Sequence, residues 1–346
     1  MSTIVVVTSS PPFAEGGHTV LARELVTALR EEGHDATLVV TPQNRFGRQG
    51  SAYLAAWCTD VEIVHEEKRV DQVISLRFPG YAVQHPNHVL WLNHRMREYY
   101  DLWDQFSGHL TWKQGIKERG RRALIHRVDK YLFNRMQRRF VISATVQARL
   151  QRFGRIQSDV LYPPPPQRAY RHEGCGNYLF GVSRLAPLKR FDLVLRALAE
   201  PVAASIQCVI AGEGAELERL QALASHLDIE HRVQFVGRLT DEQMIDHLAR
   251  CRAVVFPPFN EDYGIVTVEA YMCGKGVLTC TDSGGPSELV QDGVTGFVTE
   301  PTPEAFAGAM RKVMDERTLA QRMGEAGHAV ARQMTWPKAI QRLVAP

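Results

Sequence analysis

At 346 residues, with 45% apolar and 23% charged side chains, the chain can build two domains of ordinary size and has a soluble, globular profile. A formal net charge of +3 is too small to predict nucleic-acid binding. The six cysteines include no CxxC pair, against a zinc site or a disulfide framework, and no uncharged apolar run approaches the ~18 residues of a membrane span.

The first strand is expected at once, over Ile4–Val7, an apolar run too short for a signal-peptide core, so a cytoplasmic location is expected. IVVVT is a continuous apolar run, as a strand buried on both faces should be. Leu21, Leu25, Ala28 and Leu29 then fall at helical spacing before Gly33. ATLVV, VISL, HVLWL, FVIS and DVLY continue a sheet to Tyr162. The prolines Pro163 to Pro166 break regular structure, and with the polar QRAYRHEGCGN they predict a linker over 163–177.

From Tyr178 the alternation restarts, with strands YLFGVS, QCVIAG, VQFVG, AVVFP and GVLTC separated by helices. One of these helices shows Phe191, Val194, Leu195 and Leu198 on one stripe. Such alternation implies a parallel sheet covered on both faces. The expectation is an α/β protein of two Rossmann-like domains, 1–162 and 178–334, facing each other across a cleft. A last helix over 335–346 is a candidate to pack back on the first domain.

In parallel α/β sheets ligands bind beyond the C-terminal ends of the strands, and each candidate motif falls there. Gly16 and Gly17 lie between the first strand and its helix, where a backbone can approach a phosphate; a plain tight turn is the structural alternative. A dinucleotide site would need GxGxxG and an acid ending the second strand, but that strand ends in Thr41-Pro42. Gly212-Glu213-Gly214 is a second near miss, with Leu217 where the third glycine belongs. Arg184 and Lys189, in the loop after YLFGVS, could grip a diphosphate, or be ordinary solvated cations. His94, just past HVLWL, could meet a sugar hydroxyl or be a polar loop residue.

The stretch from Pro257 to Gly285 is the most informative. Glu261 and Glu269 are eight positions apart, and eight steps of about 100° would leave them roughly 80° apart on one helix. Glu261 is therefore expected in a loop, with Gly264 opening a helix that carries Glu269. That layout aims amides near Gly264 and Ile265 at an anion and leaves both carboxylates to accept from hydroxyls, the outline of a nucleotide sugar. The sequence lacks a DxD for a divalent metal. Residues 113–139 hold ten Lys or Arg against Glu118 and Asp129, with apolar side chains interleaved. The stretch is a candidate for peripheral contact with an anionic membrane, for binding an anionic acceptor, or for a domain helix with one solvated face.

Together these features resemble the retaining nucleotide-sugar glycosyltransferases of the GT-B fold, family 4. The likeness spans nearly the whole chain and is most specific from Tyr178 to Val298, where Arg184 with Lys189, the GEG turn, VGRLTDEQ and the E-x7-E block follow in order. His94, Arg97 and the run Tyr100 to Trp103 are similar to a subgroup with a histidine before R-x-x-YDLW. Asp262 stands where the family commonly has glycine, and Met96 where that subgroup often has a polar residue.

The resemblance implies transfer of a hexose-type sugar from a nucleoside diphosphate to an acceptor hydroxyl, with retention, no metal and no tightly bound cofactor. Arg184 and Lys189 would hold the diphosphate with amides near Gly17, Gly264 and Ile265. Glu269 would bind the ribose, Glu261 the transferred sugar, with Tyr263 and Gly16 lining the donor site and the base near Leu239. His94 would act from the first domain, with Arg97 and Tyr100 on the acceptor side, around residues 44–57 and 95–120. The acceptor, whether a glycan, a lipid-linked sugar or a small molecule, stays open, as do base and sugar. An epimerase or hydrolase on the same fold, and a non-catalytic nucleotide-sugar-binding protein, are the alternatives.

Overall fold

A computed structural model of the protein describes residues 1–11, 16–43, 47–63 and 68–344. Pro12 to Glu15, before the paired glycines, and residues 44–46 of the expected acceptor surface lie outside them. The chain forms two compact units, residues 1–163 with 336–346, and residues 164–335.

Among the described residues the first unit builds a six-stranded parallel sheet. It comprises β1 (Thr3–Ser10), β2 (Asp35–Pro42), β3 (Gln72–Ser75), β4 (His88–Leu92), β5 (Arg138–Val141) and β6 (Asp159–Val160), in the order β2-β1-β3-β4-β5-β6. Register is set from Thr3 opposite Asp35 and from Ile4 opposite Gln72. All of β4 is buried, which is why HVLWL carries no polar alternation. Its helices are α1 (Gly17–Glu31), α2 (Gln49–Trp57), α3 (Trp103–Ser107), α4 (Trp112–Arg135) and α5 (Ala144–Arg152). A last helix over Trp336–Val344 also belongs to this unit: Gln72 Nε2 donates to Leu343 O at 2.7 Å, and Trp336 packs edge-on against Trp91 at 6.2 Å.

The second unit has β7 (Tyr178–Val182), β8 (Gln207–Ala211), β9 (Val233–Gly237), β10 (Ala253–Val255), β11 (Val277–Cys280) and β12 (Gly296–Thr299). They lie in the order β12-β11-β10-β7-β8-β9, again all parallel. The helices are α6 (Phe191–Ala199), α7 (Leu217–His226), α8 (Asp241–Arg250), α9 (Ile265–Met272), α10 (Gly285–Leu289), α11 (Pro303–Asp315) and α12 (Arg317–Ala331). The stripe of α6, Phe191, Val194, Leu195 and Leu198, is fully in the core against Phe306 and Met310 of α11. Cys208 is buried in β8, and burial pushes its thiol up to about 12.

Two expectations change. Residues 164–177 are not a free linker: the amides of Glu173 and Gly176 donate to Ala249 and Arg250, and Arg171 pairs with Glu173 and Asp246. Strand β12, GFVT, adds an edge that the apolar runs did not announce.

Candidate functional site

Strand order in the second unit reverses between β7 and β10, so the chain leaves these neighbours in opposite directions and opens a crevice at their carboxyl ends. The loop after β7 runs through Arg184 to a 3₁₀ turn over Pro187–Lys189; the loop after β10 carries Glu261. They meet there: Phe259 N donates to Leu188 O at 2.7 Å, and Lys189 Nζ to Glu261 Oε2 at 2.7 Å. With side-chain exposures of 14% and 22%, this pair keeps solvent access while fixing both groups. Arg184 is exposed, and among the described residues no ion pair holds it.

The Glu261 loop is built against the Gly284-Gly285 turn. Glu261 N donates to Ser283 O at 2.8 Å, and Gly285 N returns to Glu261 O at 2.9 Å. A Cβ on Gly284 would lie 2.5 Å from Glu261 O, and one on Gly285 2.5 Å from Tyr263 Cα, so the E-x7-E loop and the paired glycines are one device. Arg190, with left-handed φ of 51°, locks the far side. Its guanidinium takes both Asp282 carboxylate oxygens at 2.8 and 2.6 Å, and donates to the Pro257 and Pro258 carbonyls.

Gly264, at φ 78°, caps α9, whose opening amides, Gly264 to Val266, precede its first internal bond and form an anion-binding end. Glu269 lies one turn further in, 3% exposed. Burial pushes its carboxyl up to about 7, with the Arg168 guanidinium pulling the other way. Arg168 donates to Glu269 and pairs with Asp241 at 3.2 Å. Sequence reasoning missed Arg168 and Arg190. Leu239, past β9, is half-buried beside the core. The GEG turn serves the first loop: Leu185 N donates to Glu213 O at 2.8 Å, and Gly212 and Gly214 pass so close to Ser183 and Leu185 that any Cβ would overlap their backbone.

In the first unit Gly16 caps α1, its carbonyl accepting from Thr19 N at 3.0 Å and Val20 N at 3.2 Å. His94 sits two residues past β4, half-buried, with its Nδ1 on Arg95 O at 2.7 Å. It lines a small recess with Arg97, Asp101 and Arg149. Arg97 donates twice to Asp101 Oδ2, at 2.9 and 2.8 Å, and so is braced by the aspartate of its own motif. Tyr100 is placed as a core residue, 3% exposed. Its ring lies between the Arg95 guanidinium, 3.6 Å from the centroid, and His126 at 4.2 Å. Its hydroxyl donates to Asp129 at 2.6 Å, where those of Tyr81 and Tyr53 also converge. Burial raises the Asp129 carboxyl, and Arg95 with the three hydroxyls holds it back.

Two units, each with a six-stranded parallel sheet, define the fold class of the GT-B glycosyltransferases. Residues 167–330 match the model of the family Glycosyl transferases group 1. Alpha-1,3/1,6-mannosyltransferase ALG2 of Homo sapiens is 35% identical over 123 residues, 36% of this chain and 29% of its own. D-inositol 3-phosphate glycosyltransferase of Streptomyces griseus is 34% identical over 168 residues, 45% of this chain and 35% of its own. The chain thus spans about a third of the length of these curated relatives. Among solved structures, sucrose-phosphate synthase from Thermosynechococcus elongatus superposes with a TM-score of 0.79 at 15% identity, covering 99% of this chain and 98% of that one. HepE of Anabaena, solved with UDP and glucose, gives 0.71 at 18%, with the same coverage. These likenesses show the fold.

Proposed function

We propose that the protein transfers a hexose-type sugar from a nucleoside-diphosphate donor to an acceptor hydroxyl, with retention and without a metal. The observation that carries the reading is the Lys189–Glu261 pair at the strand-order reversal, with Gly264 capping a helix that holds Glu269. The relatives named as glycosyltransferases, and the UDP held by HepE, support the donor class.

The α9 amides, Arg184 and Lys189 present positive charge to a diphosphate, in the place a metal would otherwise fill. Glu269 accepts from the ribose hydroxyls and Glu261 from the transferred sugar, while Glu261 also fixes where the Lys189 ammonium points. As the bond from the anomeric carbon to the β-phosphate oxygen breaks, negative charge grows on the departing diphosphate, and these preorganised donors stabilise it. The acceptor oxygen bonds the anomeric carbon from the same face, and its proton passes to the diphosphate. His94 is proposed as a further sugar-contacting residue.

Thermal unfolding with UDP, GDP, ADP, TDP and NAD, with and without magnesium, tests the site. A ligand of the folded state at 100 times its dissociation constant adds about 2.7 kcal/mol. One nucleoside diphosphate should stabilise without metal, and the product formed from its α-linked sugar donor should be α-linked by NMR. Stabilisation by NAD alone, or an inverted product, overturns the reading.

A further inference from the structure

We infer that the outward face of α4 is a docking surface for an anionic phospholipid bilayer. The helix runs 24 residues, about 36 Å at 1.5 Å per residue. Its inner face enters the core through Ile125, Leu132 and Phe133. Both acids of the helix are turned inward as well: Glu118 accepts from Tyr99 and Arg121, and Asp129 from the tyrosine cluster. What remains outside is one-signed. Lys113, Lys117, Arg119, Arg127, Lys130 and Arg135 are all exposed, and no exposed residue of α4 is acidic.

Cations alone would suit any polyanion. The apolar side chains between them select a lipid surface. Trp112 is 72% exposed, Ile116 61% and Leu124 60%. Tyr131, half exposed, stacks on Trp57 of α2 at 6.5 Å, and Leu54 on the same helix is 66% exposed, so the apolar strip continues onto a second element. Isolated apolar residues on a surface need no explanation, but a row spanning two helices does. Lys113 lies over the Trp112 ring and Arg135 over the Tyr131 ring, at 5.8 and 5.3 Å. Aromatic rings flanked by cations match the boundary between headgroups and acyl chains, where rings insert and ammonium groups meet phosphates.

The test is co-sedimentation of the full chain with vesicles, needing neither donor nor acceptor, so its result is separate from the proposed transferase activity. Binding to phosphatidylcholine vesicles holding about one third phosphatidylglycerol should exceed binding to pure phosphatidylcholine at least tenfold, and should weaken with salt. Lys113→Gln with Lys117→Gln should lower it about 30-fold. Trp112→Ser with Ile116→Ser should lower it at least about tenfold. All four side chains are exposed, so both variants should melt with the wild type. No binding, or equal binding to the two vesicles, overturns the inference. Loss with the charge variant but not the apolar one replaces the bilayer with a soluble polyanion. Self-association abolished by the apolar variant, without vesicle binding, replaces it with a second copy of the chain.

Discussion

Replacing Lys189 by alanine should separate catalysis from folding. Its ammonium sits 2.7 Å from Glu261 and, in the proposed reaction, faces the departing diphosphate. Removing one preorganised donor of this kind costs about 10²–10³ in turnover, and 100-fold is about 2.7 kcal/mol of activation free energy. A second effect falls on binding. Glu261 then faces the diphosphate uncompensated, and like charges at about 4 Å repel by up to roughly 4 kcal/mol at an effective dielectric of 20. Stability should change far less, because a solvent-reached ion pair contributes about 1 kcal/mol or less, a shift of about 2–4 °C in a unit this size. The assay is release of nucleoside diphosphate under saturating donor, beside a melting curve. Adding Glu261→Gln to Lys189→Ala should recover donor affinity by relieving the repulsion, and leave turnover low. Turnover within about threefold of wild type would refute the assignment, because no transition-state interaction would then have been lost.

The neighbouring arginines should behave oppositely. Arg184→Ala should weaken nucleoside-diphosphate binding at least about tenfold, read by titration calorimetry, with an unchanged melting curve. Arg190→Ala should lower the melting temperature by several degrees, because it strips Asp282 and two proline carbonyls of their donor. The Glu269 carboxyl, raised to about 7 by burial, gives two pH dependences of opposite sign. Its folded value lies above the unfolded ~4.3, so its contribution to stability is full below that pH and lost as pH rises through about 7. The ionised form is the one that accepts from ribose, so nucleotide affinity should rise over the same range. Glu269→Gln should abolish that step, and Arg168→Ala should move its midpoint above 7. Gly284→Ala should destabilise well beyond Gly293→Ala. Both have φ near 70°, but a Cβ meets Glu261 O at 2.5 Å only at Gly284 and nothing within 4 Å at Gly293.

The sheets were legible because a parallel strand covered on both faces reads as an unbroken apolar run. HVLWL and QCVIA mark β4 and β8 that way. The signal fails where burial is partial. GFVT of β12 is an edge strand, only one of whose four residues is fully buried. DVLY shrinks to the two residues of β6, after which the chain turns into prolines that cannot continue a ladder. The linker was misjudged for a different reason. A polar stretch bounded by prolines looks solvated, but its amides close on α8 and its arginines find acids there.

At the candidate site, positions beyond strand ends were legible and partnership was not. Lys189 and Glu261 each announce themselves by following a strand, yet they lie 72 positions apart, and only the strand-order reversal brings them together. Tyr100 shows the converse: a motif tyrosine proved to be core, because Asp129 on α4 needed its hydroxyl. Arg168 pairs with Glu269 across 101 positions, and no spacing rule reaches that far. A physical signal for it was nonetheless present. Glu269 stands in IVTVEAYM, a helix whose other side chains are apolar or uncharged, and a carboxylate buried there must be protonated or meet a cation. Lys189 is held by Glu261, and the cation comes from elsewhere in the unit. Arg168 and Arg171, between Pro166 and Tyr178, are two such cations, which makes a supposed linker one place to look for the counter-charge of a buried acid.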